Sequence, residues 1–468
     1  MLLRELYRES RREVSHLHSV MKKKSHLETM YDVGCISPLL CQTNHRVKLA
    51  NEVTFKRMKE TMETLRDTPP AELSTLSRIM LGQSKPSEVK DLGEIKFFDE
   101  TLNSSQKQAV QFALSAPELA LIHGPPGTGK TYTLIEIIRQ LVSSTPPPSL
   151  LVVGPSNISV DNLCERLAPL GIPLVRIGHP ARLLPSIISH SLDNLTRTSD
   201  QGILLRDARD DIDKAFARIS KTRSGRERKE IYSEIKELRK EVRVREIKCI
   251  DSIIQTSKVH LSTLHGSRGR ELSSKRVWDI VIVDEASQAL EAQTWIPLLY
   301  ANKVILAGDH LQLPPTVKSV EKGKSSPLEI TLFDRMIKLY GDTNVKMLTT
   351  QYRMNNEINA FPSKTLYQGK LVAALSVAER RLKDVEGVEE TENTEQAVVF
   401  VDTQGGDFPE STPEGDEGSL LGESKRNEGE AKIVRAMVKD LVEAGVKPNT
   451  IAVITPYNAQ VTPFCNVH

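Results

Sequence analysis

Short apolar runs alternate with amphipathic stretches over residues 95–180. ELALIHG and SLLVVGP have the length of strands, and each precedes a stretch in which apolar residues recur every three or four positions. The first stretch, Thr131–Val142, predicts a helix, and a second helix is predicted to end at Gly171. Strands that alternate with helices form parallel sheets, because each helix carries the chain back to the starting edge. We therefore predict an α/β fold for this part of the chain.

Residues 200–255 follow a different pattern. Apolar residues repeat at intervals of three and four on both sides of the polar stretch TRSGRER. This spacing predicts two long helices that fold back on each other as an antiparallel hairpin. The remaining faces mix acidic and basic residues, which is typical of a solvated surface. We therefore interpret the hairpin as a structural stalk and not as a catalytic element.

The strand–helix pattern resumes after the hairpin. VWDIVIVDEA, NKVILAGD and VKMLTTQYR predict strands, and AVVFVDT and IAVIT predict two more. Between the last two, residues 403–430 are acidic and rich in Gly, Pro and Ser, which predicts a mobile loop. We therefore divide the chain into four parts. Residues 1–45 have no assignment, and residues 46–94 are predicted to form a helical lead-in. Residues 95–345 are predicted to form a first α/β domain that contains the stalk, and residues 346–468 a partial second domain.

Composition narrows the class of protein without indicating a function. Of the 468 residues, 39% are hydrophobic and 26% are charged, and the net charge of +2 does not by itself indicate a nucleic-acid-binding protein. The five cysteines include no CxxC pair, which argues against a zinc site or a disulfide framework and favours a reducing compartment. No apolar run reaches membrane-spanning length, and the charged N-terminus lacks the apolar centre of a signal peptide. We expect no membrane partner and a location in the nucleus, the cytoplasm or both.

The stretch HGPPGTGKT, residues 123–131, matches the phosphate-binding P-loop pattern between a predicted strand and a predicted helix. Glycines in such a loop allow backbone N–H groups to surround the phosphates, and the helix N-terminus adds positive potential. Lys130 is expected to bind the β- and γ-phosphates, and the Thr131 hydroxyl to bind Mg²⁺. The predicted ATP site comprises Gly124, Pro125, Pro126, Gly127, Thr128, Gly129, Lys130 and Thr131.

The apolar run IVIV leads into Asp284 and Glu285. Ligands of parallel sheets bind at the carboxyl ends of the strands, so both carboxylates are expected near the P-loop. Asp284 is suited to hold Mg²⁺, directly or through water, and Glu285 to orient and deprotonate the attacking water. Together with the P-loop, this pair predicts an ATP-hydrolysing enzyme.

Two later motifs carry polar residues just past predicted strands. Gln312 follows one strand, and Tyr352 and Arg353 follow another in the second domain. An arginine from a second domain can neutralise the charge that develops in phosphoryl transfer, and a tyrosine ring can stack on the base or sugar. From spacing alone, an ordinary salt-bridged arginine beside a core tyrosine is an alternative interpretation that stays open.

Seven stretches follow one another along the chain: LNSSQKQAV, GPPGTGKT, GPSNISVDNL, VDEASQALEA, LAGDHLQLPP, QYRMNNEI and ITPYNAQV. In sequence and in order they resemble the motifs of helicase superfamily 1, in particular those of the nonsense-mediated-decay helicase group. The resemblance implies two RecA-like P-loop domains with a helical stalk inserted in the first. It implies that Gln106 contacts the adenine and that Gln312 senses the γ-phosphate. It also implies that Tyr352 stacks on the nucleotide and that Arg353 is the arginine finger.

The same resemblance implies what the energy of ATP is used for. Members of the family translocate 5′ to 3′ on single strands of DNA or RNA. Ser156, Asn157 and Thr263 would contact the nucleic-acid backbone, which makes binding salt-sensitive and largely independent of sequence. Replication-associated or ribosome-associated proteins are the partners that the resemblance suggests.

The chain departs from the family pattern at both ends. Residues 1–45 lack the alternating pattern of the small β-barrel that precedes the lead-in in the family. After ITPYNAQV, the glutamate motif and the last arginine motif of the family do not follow, so we expect a truncated second domain. One alternative is therefore a fragment that binds ATP and nucleic acid with little or no helicase activity. An unrelated P-loop ATPase that remodels proteins is a third possibility, against which QYRM and GDHLQLPP argue.

Overall fold

The structure is a computed structural model that describes residues 52–222, 224–269, 272, 277–317, 327–411 and 424–465. The unassigned N-terminal segment and residues 412–423 of the predicted acidic loop lie outside these residues. The described residues divide into two compact units. The first runs to Pro125 and resumes from Gly129 to Leu348, and the second contains Pro126–Thr128 and resumes at Thr349.

Seven strands form the sheet of the first unit: β1 Leu119–His123, β2 Leu150–Gly154, β3 Leu174–Ile177, β4 Val259–Thr263, β5 Trp278–Val283, β6 Ala301–Gly308 and β7 Val345–Met347. Their order across the sheet is β3-β4-β2-β5-β6-β1-β7, and every neighbouring pair is parallel. The carboxyl ends of all seven strands therefore lie at one edge, where the predicted phosphate site and carboxylates meet.

Ten helices of the first unit lie within the described residues: α1 Glu52–Asp67, α2 Thr75–Met80, α3 Ser104–Ser115, α4 Lys130–Ser143, α5 Asn157–Leu167, α6 Leu192–Thr198, α7 Asp200–Lys221, α8 Gly225–Thr256, α9 Glu291–Leu298 and α10 Leu332–Tyr340. The predicted helix over Thr131–Val142 is confirmed as α4. α3 begins with a capping box in which Asn103 and Gln106 exchange side-chain and backbone hydrogen bonds.

Both faces of this sheet are buried. Along β1, Leu119 and Leu121 face one core, and Ala120 and Ile122 face the other. The first core includes residues of α1, α2 and α10, and the second includes residues of α3, α4 and α5. Because helices cover both faces, apolar residues predominate on both faces of the central strands, as in LALIH of β1 and LLVVG of β2. The predicted parallel α/β fold is confirmed in this unit.

The predicted helical hairpin is present as α7, of 22 residues, and α8, of 32 residues. Leu205, near the start of α7, packs with Val242 and Cys249 toward the end of α8. Farther out, Ala215 packs with Ile231 and Ile235. Since the start of one helix meets the end of the other, the two helices are antiparallel, and their apolar seam has the spacing that the sequence predicts.

The second unit contains two strands within its described residues, β8 Thr350–Gln351 and β9 Val372–Ala373, which pair in parallel. Its helices in the same residues are α11 Asn356–Thr365, α12 Leu375–Ala378, α13 Glu392–Glu395, α14 Glu428–Glu443 and α15 Asn458–Cys465.

The prediction of strands at AVVFVDT and IAVIT is wrong for this structure. Residues 397–403 and 451–455 have no strand assignment, and Phe400 and Ile454 are 86% and 93% exposed. A strand exists only as part of a ladder, and the described residues place no neighbouring strand beside either segment. An apolar run can predict the tendency to pair, but the pairing depends on a partner elsewhere in the chain.

Candidate active site

The P-loop connects β1 to α4, and steric constraints require glycine at three of its positions. Gly127 and Gly129 adopt left-handed backbone conformations, with φ of 75° and 78°. A Cβ at Gly129 would also clash with the side-chain nitrogen of Gln106, and one at Gly124 would lie 2.9 Å from the Cβ of Lys130. The loop therefore has the close backbone packing that a phosphate-binding loop requires.

Lys130 lies between the two predicted carboxylates. Its Nζ is 3.0 Å from Oδ1 of Asp284 and 2.5 Å from Oε1 of Glu285, and its side chain is 12% exposed. Burial alone would lower the pKa of Lys130, but the two carboxylates outweigh it and raise the pKa above its ordinary value. The P-loop lysine and the residues predicted to hold metal and water thus share one cluster at the carboxyl edge of the sheet.

Glu285 has an uncommon backbone conformation. Its φ of 52° and ψ of 39° lie in the left-handed region, which costs a non-glycine residue of this kind about 1 kcal/mol. The backbone N–H of Glu285 donates to Oδ1 of Asp284 at 2.9 Å, and the amide of Gln288 donates to Oε2 of Glu285 at 3.1 Å. Such strain is typical of a residue whose side chain must point in one functional direction.

Gln288 was not predicted as a site residue. Its position three residues after Glu285, in a turn that leaves the strand, is the signal that could have indicated it. The hydrogen bond from Gln288 fixes one carboxylate oxygen of Glu285 while Lys130 contacts the other.

Gln106 lies on α3 beside the P-loop and is 5% exposed. Its Oε1 accepts the backbone N–H of Asn103 at 2.9 Å, which turns its Nε2 toward Gly129. Thr131, on the first turn of α4, is half-buried. Gln106 thus lies against Gly129 of the P-loop and Thr131 follows Lys130 at the start of α4, and the adenine and metal roles stay predictions.

Gln312 follows β6 on the same edge of the sheet. Its Nε2 donates to Oδ2 of Asp309 at 2.8 Å, while Oδ1 of Asp309 lies 2.8 Å from Nε2 of His123. Neither Asp309 nor His123 was predicted as a site residue. The sequence carries the signal only indirectly, because His123 immediately precedes Gly124 of the P-loop and Asp309 lies three residues before Gln312 in the same motif.

The predicted nucleic-acid contacts lie at the ends of two neighbouring strands. Gly154 of β2 pairs with Thr263 of β4, and Ser156 and Asn157 follow β2 after a single intervening residue, Pro155. Ser156 caps α5, and Thr263 Oγ1 accepts the backbone N–H of Gly266 at 3.1 Å. The three predicted residues are thus brought to one edge, and their contact with nucleic acid stays a prediction.

Asn157 is held by a buried ion pair. Arg176 is 0% exposed, donates to Oδ1 of Asp161 at 2.7 Å and donates to Oδ1 of Asn157 at 3.0 Å. A buried arginine needs such partners, because an unpaired charge in the interior is strongly destabilising. The carbonyl end of the Asn157 amide therefore faces inward.

Tyr352 and Arg353 lie in the second unit. The backbone N–H of Tyr352 donates to the carbonyl of Gly127, which belongs to the same unit, at 2.8 Å. Oε1 of Gln351 accepts the backbone N–H groups of Arg353 and Met354, both at 2.7 Å. The Tyr352 side chain is 44% exposed, which excludes the core tyrosine of the alternative interpretation. The stacking and arginine-finger roles stay predictions.

His265, after β4, gives a test of pH dependence. Burial and then the Arg57 guanidinium lower the pKa of His265 from its ordinary value of 6.5 to about 4. Between pH 6.5 and 4, His265 therefore binds a proton in the unfolded chain but not in the folded chain. The stability of the folded chain consequently falls as the pH decreases from 6.5 to 4. His265 should contribute a loss of roughly 3 kcal/mol to the free energy of unfolding over that range. Urea titrations at both pH values should show a smaller loss for His265→Leu; an equal loss in both proteins would contradict the assignment.

Known proteins resemble this chain over both units. Residues 101–320 and 328–466 each match a family model described as an AAA domain. The chain is 49% identical over 418 residues to the DNA polymerase alpha-associated DNA helicase A of Schizosaccharomyces pombe, with coverage of 89% of this chain and 62% of that protein. It is 44% identical over 422 residues to the DNA-binding protein SMUBP-2 of Rattus norvegicus, with coverage of 90% and 42%.

The chain aligns with a larger share of a third relative. The chain is 32% identical over 482 residues to an uncharacterized ATP-dependent helicase of Methanocaldococcus jannaschii, with coverage of 94% of this chain and 69% of that protein. By contrast, the chain spans less than two thirds of the length of the first two relatives. Within the described residues, no helix is long and apolar enough to cross a membrane. On these matches, the chain belongs to superfamily 1 of the helicases, the family that its ordered motifs predict.

Proposed function

We propose that this chain binds ATP with Mg²⁺, hydrolyses the ATP and uses the energy to move 5′ to 3′ along single-stranded DNA or RNA. The observation that carries the proposal is the cluster of Lys130, Asp284 and Glu285 at the carboxyl edge of the parallel sheet. A P-loop lysine, a metal-binding aspartate and a water-activating glutamate are the groups that ATP hydrolysis needs in this type of site.

The residues fit a nucleotide with its metal. The Thr131 hydroxyl and the Asp284 carboxylate are hard oxygen donors, which Mg²⁺ prefers. The glycines of the P-loop leave room beside Gln106 and Lys130 that a Cβ would fill. When bound, Mg²⁺ neutralises charge on the phosphates. The protein would supply Lys130 against the phosphate oxygens and Glu285 as the acceptor for the proton of the attacking water.

The nucleic-acid part of the proposal rests on the edge formed by the ends of β2 and β4. Hydroxyl and amide groups of Ser156, Asn157 and Thr263 lie there, and such groups bind phosphates without reading the bases. Two relatives carry names that refer to DNA, as a DNA helicase and as a DNA-binding protein. By this similarity we propose single-stranded nucleic acid as the partner, with replication-associated or ribosome-associated proteins as further partners.

The first experiment is ATP hydrolysis by the purified chain, alone and with oligo(dT) or oligo(rU), beside the Glu285→Gln variant. We expect turnover that the strand stimulates and that the variant lacks. A difference between the two oligonucleotides would reveal a preference for DNA or RNA. Turnover that neither strand changes would contradict the coupling, and turnover retained in Glu285→Gln would contradict the assigned site.

A second candidate function is a module that binds ATP and single strands without appreciable turnover. It is favoured by the second unit, where the two strands within the described residues have two residues each and Phe400 and Ile454 lie exposed. The same assay distinguishes the two functions. Strand binding in a filter or anisotropy assay, together with background turnover at saturating strand, would support the binding module.

A further inference from the structure

His123 has a place in the site that the proposed mechanism does not use. It is the last residue of β1 and immediately precedes Gly124, the first glycine of the P-loop. The parallel register pairs His123 with Gly308 of β6, which brings its side chain beside the next residue, Asp309. His123 Nε2 and Asp309 Oδ1 are 2.8 Å apart, and the two side chains are 8% and 3% exposed. Since a carboxylate only accepts, Nε2 of His123 is the donor.

Asp309 links His123 to Gln312, because its second carboxylate oxygen contacts the Gln312 side chain. Its Oδ2 accepts the Nε2 of Gln312 at 2.8 Å, and its Oδ1 also accepts the backbone N–H of Leu311 at 3.1 Å. The Gln312 residue is exposed, yet its side chain has a fixed partner in the interior. One amide hydrogen of Gln312 is directed to Asp309. The carbonyl oxygen and the second amide hydrogen are therefore the groups that would hydrogen-bond to the γ-phosphate and the attacking water.

The same aspartate also joins the segment that carries Glu285. The backbone N–H of Asp309 donates to Oγ of Ser287 at 3.0 Å. This approach depends on Gly308, because a Cβ there would lie 3.0 Å from both the backbone N and Oγ of Ser287. The start of the P-loop, the turn after β5 and the Gln312 segment therefore all contact Asp309, the first and third through its carboxylate and the second through its backbone N–H.

A cation site is the competing explanation of this cluster. Ligand atoms of His123, Asp309 and His310 all lie within 4.8 Å of one another. However, both oxygens of Asp309 already accept hydrogen bonds, from His123, Leu311 and Gln312. A metal ion would have to replace at least one of these bonds, so the arrangement favours a hydrogen-bonded hub over a metal centre.

We propose that His123 is a positioning residue for ATP hydrolysis: through Asp309 it holds the Gln312 amide in the orientation that faces the γ-phosphate. The proposal rests on the proposed ATPase function and adds a residue to it. In this proposal His123 acts through its contact with Asp309 and not through the nucleotide. Its loss should therefore lower kcat and leave the KM for ATP unchanged, because the phosphate-binding loop and Lys130 remain in place.

Three variants test this mechanism by strand-stimulated ATP turnover. His123→Leu removes the donor and should lower kcat by about tenfold or more, with the KM for ATP within about twofold of the wild type. His123→Gln keeps an N–H donor at the matching distance and should recover most of the loss. In a Gln312→Ala background, His123→Leu should have little further effect, because both changes disable the same group. Effects that multiply in the double variant, or a raised KM for ATP, would overturn the proposal.

His260→Leu is the matched control for burial. His260 is 1% exposed in β4 of the same sheet and contacts the carbonyl oxygens of Leu150 and Ile254. This variant should lose stability and keep its kcat. If it lowers kcat as much as His123→Leu, the effect of His123 is a general consequence of replacing a buried histidine, and the proposal is wrong.

An NMR measurement that does not depend on ATP hydrolysis tests the role of His123 separately from the ATPase proposal. In a chain with ¹⁵N-labelled glutamine, the side-chain amide signal of Gln312 is identified by its loss in Gln312→Ala. That signal should shift in His123→Leu and stay in place in His123→Gln and His260→Leu. An unshifted signal in His123→Leu would contradict the proposal even if the wild-type chain hydrolyses ATP. A shift in a chain without turnover would support the hydrogen-bonded hub and contradict only the ATPase function.

Discussion

Replacement of Lys130 by alanine is expected to reduce ATP hydrolysis by at least about 10³-fold. In the proposed site, Lys130 is the cation that binds the phosphate oxygens, and in phosphoryl transfer most of the catalysis is electrostatic. The same change should also destabilise the chain by about 3 kcal/mol, because Asp284, at 4% exposure, loses its cationic partner. Turnover assays and urea unfolding without nucleotide measure the two effects.

Lys130→Arg separates the two consequences. The guanidinium keeps the positive charge beside Asp284 and Glu285, so stability should stay close to that of the wild type. Its planar shape does not reproduce the compact ammonium group in the narrow loop, so turnover should still fall strongly. Wild-type turnover in Lys130→Ala would disprove the P-loop assignment. Unchanged stability in that variant would show that the ion pair contributes nothing to folding.

Glu285→Gln is expected to lower ATP turnover by about 10²- to 10⁴-fold while nucleotide binding persists. Glutamine has the shape of glutamate but cannot take a proton from water. It also occupies the same left-handed backbone position at φ 52°, so the strain in the folded chain remains the same. Turnover together with the affinity for a fluorescent ATP analogue, measured by equilibrium titration, checks both parts.

Glu291→Gln is the matched control for this substitution. Glu291 is 4% exposed, forms an ion pair with Arg335 and accepts the Trp295 indole N–H at 3.0 Å. Loss of its charge leaves Arg335 partly uncompensated, so the control should lose stability and keep its kcat. The assignment of Glu285 as the water-activating residue fails if the two variants lower kcat equally.

The elements that could be predicted from the sequence are those that depend on the local spacing of apolar residues. β1, β2 and α4 follow from apolar runs and helical periodicity because helices bury both faces of the sheet. The approach of Lys130 to Asp284 also follows from the sequence, since both follow strands of one parallel sheet. Local chemistry and topology were sufficient to place the centre of the candidate site.

The unpredicted part depends on register between strands that are distant in the chain. His123 and Asp309 are separated by 186 positions, and only the alignment of β1 with β6 brings them together. The hydrogen bond from Gln288 depends on the left-handed turn at Glu285, which apolar spacing does not reveal. The missing strand at residues 451–455 has the same origin, because an apolar run specifies a face but not the neighbour that completes a ladder.

The length of the stalk has a mechanical consequence. At 1.5 Å per residue, the 32 residues of α8 span about 48 Å. A rotation of about 10° where the stalk joins the sheet would carry its far end through roughly 8 Å, more than the pitch of a helix. The length of the hairpin would thus turn a small angular change at its base into a displacement large enough for a pair of spin labels to measure.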